Sequence, residues 1–134
     1  MHYDRTRRLS IPIDQVTEAL RKNPIDRTIA LRMFSDGVRV EFRQLSDGNT
    51  GIANLDVKTN IWCITADDRL GIDATEEVIW HELVHLHLRR FFGGFLRTEH
   101  DSDVHGLITN LGAELGRDPP VSYQELMWYC RPHE

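Results

Sequence analysis

The residues of this chain best suited to chemistry are His81, Glu82 and His85, in the run His81-Glu82-Leu83-Val84-His85. Two histidines four apart on a helix project from one face, so both imidazoles can hold the same metal ion. Zinc suits such a site, although histidine ligands also accept nickel, cobalt and iron. A zinc ion with three protein ligands keeps one open position and lowers the pKa of a water there to about 7. Glu82, between the histidines, is placed to take that water's proton and deliver it to a leaving amine. This is the chemistry of peptide-bond hydrolysis, with zinc as cofactor and Glu82 as general base.

The motif needs a helix and a third ligand. Asp73 reads as an N-cap with Glu76 as its capping-box partner, and the helix should run to about Arg90 before Phe91-Phe92-Gly93-Gly94 breaks it. Val78, Ile79, Trp80, Leu83, Val84, Leu86 and Leu88 surround it with apolar groups, the mark of a buried helix. Two histidines and a glutamate on such a helix need polar partners, and a metal supplies them. His87 should point away from the metal face. A second helix is expected over residues 99–115, with an apolar stripe of Val104, Leu107, Ile108, Leu111 and Leu115. His100 is in phase with that stripe and is the first choice for the third ligand. His105, about a quarter-turn off it, and Glu99, further round, are held in reserve.

Around these helices the pattern predicts a short helix over 13–22, ended by Asn23-Pro24. Strands are expected over 28–34 and 38–43 as a hairpin about Ser35-Asp36-Gly37, and over 50–56 and 59–65. Ser122-Tyr123-Gln124-Glu125 is a capping box for a last helix over 123–129. The three tryptophans, Trp62, Trp80 and Trp128, read as packing groups. Helix, strands and then helices imply an α+β domain: a mostly antiparallel sheet packed against the metal helix and the ligand-bearing helix after it.

The stretch Glu76-Glu77-Val78-Ile79-Trp80-His81-Glu82-Leu83-Val84-His85-Leu86 resembles the active helix of the SprT-like (Spartan-type) zinc metallopeptidases. In that family a third histidine opens the next helix about fifteen residues on. Apolar positions follow it, then a glycine; here His100, Val104, Leu107, Leu111 and Gly112 stand at those offsets. The resemblance implies a small zincin-like domain with zinc on His81, His85 and His100 and with Glu82 as general base. The family's glycine after the third histidine is Asp101 here, and a His-Gly pair falls instead at His105-Gly106. The cysteine-rich zinc ribbon and long basic tails of many such proteins are missing, which removes the support for a role on DNA–protein crosslinks.

Composition bounds the rest. The chain has 134 residues, 40% apolar and 28% charged, as expected of one globular domain over 1–134. Residues 1–10 read as a flexible basic arm carrying Arg5, Arg7 and Arg8, and 121–134 as a short helix and tail. A net charge of −5 argues against a nucleic-acid partner. No apolar run could span a bilayer, and no signal peptide is visible, so a cytoplasmic location is expected. A viral or phage protein would look the same. Cys63 and Cys130 form no CxxC pair, and a cytosolic chain would keep them reduced. The expected partner is a protein or peptide substrate. Two other readings stand beside the enzyme: a non-catalytic module in which zinc only stabilises the fold, and an accessory protein acting through its acidic surface and the Trp128-Tyr129 tail.

Overall fold

The computed structural model describes residues 12–46, 48–92 and 102–129. It is a small α+β domain of five helices and one three-stranded sheet among those residues. Helix α1, Ile13–Lys22, has the expected bounds and buries Val16 and Leu20.

Residues predicted as a strand over 28–34 form helix α2, Arg27–Ser35. Asp26 caps it, its carboxylate accepting from the Ile29 amide at 2.9 Å. The apolar residues then bury at helical spacing: Ala30, Met33 and Phe34. Ser35-Asp36-Gly37 accordingly ends a helix rather than turning a hairpin. The Gly37 amide donates to the Phe34 carbonyl at 3.0 Å, and the Val38 amide to that of Met33 at 3.2 Å. This paired closure requires a left-handed residue, supplied by Gly37 at φ +106°.

The strands are β1, Arg39–Arg43, β2, Gly51–Asp56, and β3, Ile61–Asp67, in the spatial order β1-β3-β2. The expected mostly antiparallel sheet is instead mixed. β2 and β3 pair antiparallel across a tight connection, while β1 pairs parallel to β3. The reason follows from α2: with 27–35 helical, β1 has no hairpin partner and adds to the far side of β3. β1 keeps its predicted wet face, with Val40 buried and Arg39, Glu41 and Arg43 exposed.

Helix α3, Ile72–Phe92, carries the motif. It starts before Asp73, which therefore lies in the first turn and not at the cap. Ile79, Trp80, Leu83, Val84 and Leu88 are fully or almost fully buried, each such side chain contributing about 1.5–3 kcal/mol by leaving water. α4, Ser102–Arg117, runs against α3 and presents Val104 and Ile108 to the core, with Leu107, Leu111 and Leu115 packed at its margin. α5, Tyr123–Tyr129, is capped as expected, the Glu125 amide donating to Ser122 Oγ at 3.2 Å. The Glu125 carboxylate turns to Arg27 at the start of α2, 2.7 Å away, and ties the last helix to the second. Trp80 and Trp62 pack as expected, but Trp128 is 60% exposed. No helix among the described residues is long and apolar enough to cross a membrane.

Candidate metal centre

Two glycines bring three elements to one place. A Cβ on Gly51, at the start of β2, would collide with the Val78 side chain on α3, so glycine lets the strand lie against the helix. A Cβ on Gly112 of α4 would sit 2.9 Å from the His81 Cα and 3.0 Å from its amide nitrogen. α4 therefore crosses α3 with the backbones almost touching at His81 itself. One turn on, Gly116 meets Glu77 in the same way, so the two helices run antiparallel.

This crossing carries His105 to the motif. The His105 ring lies 5.2 Å from that of His81 and 5.9 Å from that of His85, between centroids. The His81 and His85 Nε2 atoms are 3.2 Å apart. One ligand atom from each of the three histidines lies within 4.8 Å of the others, close enough to bind a metal ion. Ligands of a tetrahedral zinc with Zn–N near 2.0–2.1 Å stand roughly 3.3 Å apart, which the first pair already meets. Burial, and then the neighbouring His85 and His105, lower the His81 pKa to about 4. His81 is thus neutral at pH 7, the form a metal needs.

The cluster sits in a cleft of about 810 Å³ between β2 with the turn before it, α3 and α4. His81, Glu82 and His85 line it from α3, and His105 and Thr109 from α4. Glu82 is half-buried and lines the same cleft. The other wall is β2, which among the described residues is an edge strand paired with β3 on one side.

His81, Glu82 and His85 therefore come together as the sequence implied, and His105, the reserve, supplies the third imidazole. His100 and Glu99 lie outside the described residues. His87 points away as expected: it is 4% exposed, and its Nε2 donates to the Asn23 carbonyl at the end of α1, 2.7 Å away. Cys63 is half-buried on β3, and burial raises its thiol pKa, which suits an inert packing group. Sequence reasoning did not reach the β2 wall or Arg89, which lines the cleft one turn beyond His85. The β2 wall carries no local signal, because sheet order places it there, whereas the four-residue step from His85 to Arg89 already sets both on one helix face.

Comparison with protein-family models, with curated proteins and with solved structures returns no match for this chain.

Proposed function

We propose that this chain is a zinc-dependent metallopeptidase that hydrolyses peptide bonds with Glu82 as general base. The observation that carries the reading is the gathering of His81, His85 and His105 in a cleft that Glu82 also lines and that β2 bounds. The donor set fits the metal: three imidazoles, two from one helix turn and one from the facing helix, with room for a fourth ligand from the cleft. Zinc bound there would supply Lewis acidity toward a carbonyl and toward water. The residues do the rest. The three histidines hold the ion, and Glu82 accepts a proton from the attacking water and returns it to the leaving amine. The side of β2 that no strand pairs among the described residues offers main-chain donors and acceptors to an extended chain, which supports a protein or peptide as substrate.

Glu82→Gln tests the assignment. The zinc-loaded variant should keep its metal and lose roughly 10²- to 10⁴-fold in the hydrolysis of an unfolded protein substrate, the usual worth of a general base. Hydrolysis unchanged in this variant removes Glu82 from the role.

One observation favours a second reading, a non-catalytic zinc module. His81 and His85 stand on α3 and His105 on α4, so an ion there would cross-link two helices whose packing forms much of the core. Unfolding on chelation, with no hydrolysis by the zinc-loaded wild type, is the outcome that selects it.

A further inference from the structure

Two carboxylates line the cleft among the described residues, Glu82 and Glu77. Glu82 is taken by the proton transfer proposed above. Glu77 stands one turn before His81 on the same face of α3 and is exposed. No hydrogen bond or ion pair holds its carboxylate among the described residues. Its position has a bland explanation, because acidic side chains suit the positive end of a helix. That effect fades beyond the first turn, where Asp73 already stands, and Glu77 lies in the second. Its backbone is also braced. A Cβ on Gly116 of α4 would lie 3.1 Å from the Glu77 Cα and 3.2 Å from its amide nitrogen. A group carried on two packed helices is placed more sharply than one on a loop.

The surface beside Glu77 is apolar. Ala74 and Val78, four apart on α3, line this end of the cleft with Leu70, just before the helix. Gly51 of β2 lies against Val78 and adds no side chain of its own. An apolar surface that ends at a carboxylate matches one kind of protein side chain, a methylene stem with a cation at its tip.

Resting on the metallopeptidase reading above, we infer that this end of the cleft is a subsite for a lysine or arginine side chain of the substrate, with Glu77 as its specificity determinant. The spacing fits. The four residues from Glu77 to His81 are a rise of about 6 Å along α3. The five bonds from a lysine Cα to its ammonium, each about 1.5 Å long and staggered, span about 6 Å as well. A residue next to the scissile bond therefore reaches Glu77 while its backbone stays beside the histidines. The net charge of −5 draws such a substrate toward the chain.

Binding to the zinc-loaded Glu82→Gln protein, which cannot turn the peptide over, separates this inference from hydrolysis. Three hexapeptides, labelled at an amidated C-terminus, are compared by fluorescence anisotropy. One is acetylated and carries a single lysine. The second is acetylated and has norleucine there, which keeps the stem and lacks the cation. The third has the norleucine and a free α-amine. The lysine peptide should bind about threefold or more tighter than the second, as expected of an ion pair open to water on one side. Adding Glu77→Gln should erase the gain, Glu77→Asp should keep part of it, and Glu77→Lys should turn the preference toward a glutamate peptide. Equal binding of the three, no binding of any, a gain by the free α-amine alone, or a lysine preference that survives Glu77→Gln and Glu77→Lys overturns the inference. Hydrolysis is measured separately with Glu82 intact, by mapping the cut bonds of an unfolded protein. Lysine-selective binding without hydrolysis removes the peptidase and leaves Glu77 its role; hydrolysis and binding indifferent to lysine do the reverse.

Discussion

At the scale of single residues, the cluster separates what spacing can reveal from what packing decides. His81, Glu82 and His85 were legible because a helix fixes the direction of residues four apart, whatever surrounds it. The third ligand was not, because it depends on where another helix lies. Phase along α4 favoured His100 over His105, which stands about a quarter-turn from the stripe. The backbones of α3 and α4 approach so closely at Gly112 that a histidine off the stripe still reaches the cluster. His105→Ala and His81→Ala should each lose the bound zinc measured by elemental mass spectrometry on purified protein, and His100→Ala should retain one zinc per chain. Zinc kept in His105→Ala but lost in His100→Ala would move the third ligand to His100. Arg89 shows the same limit of local reading: its sequence position explains a charge at a helix end, and only the fold sets Trp62 beneath it.

At the scale of elements, boundaries set by capping were readable, whereas helix and strand were confused where composition pulled both ways. α1 and α5 have their expected bounds because Pro12, Asn23-Pro24 and Ser122 punctuate the chain. Residues 28–34 looked like a strand because Thr28 and Ile29 are β-branched and Ser35-Asp36-Gly37 resembles a hairpin turn. The Asp26 cap and the burial of Ala30, Met33 and Phe34 decide for a helix, and the parallel pairing of β1 is a consequence. The α3–α4 crossing is the element contact on which the metal cluster depends. Gly112→Ala forces a methyl group against the His81 backbone, 2.9 Å from its Cα. Overpacking of this kind costs about 1–3 kcal/mol. The variant should melt at lower temperature in thermal denaturation and release zinc at a lower chelator concentration than wild type. Unchanged melting would mean that α4 can shift without cost.

At the scale of the whole molecule, the α+β class was legible from the order of patterns, but the sheet's connectivity was not. β1 and β3 are joined through β2, and no local signal states that the strand made last lies in the middle. The end of that middle strand also shapes the response to acid. The Arg69 guanidinium, and then the Arg69 amide, hold the Asp67 carboxyl at about 2, below its ordinary 3.8, while Arg69 also donates to the Leu45 carbonyl at 2.8 Å. Between these values the unfolded chain binds the proton that the folded one refuses. The stabilisation is therefore complete above 3.8 and is lost as pH falls through about 2. Urea unfolding across that window should show a shallower loss of stability in Asp67→Asn than in wild type. Equal slopes would assign the acid sensitivity to other groups.

The central place of β3 also bears on how the chain is made. Synthesis delivers β1 first and β2 next, yet neither has a ladder partner among the described residues until β3 emerges. A nascent chain halted before Ile61 holds two strands with open edges on both sides, Val40 and Ile52 among the residues they carry. During that interval the growing protein is a template for pairing with a neighbouring chain, and the arrival of one seven-residue strand pairs one edge of each at once.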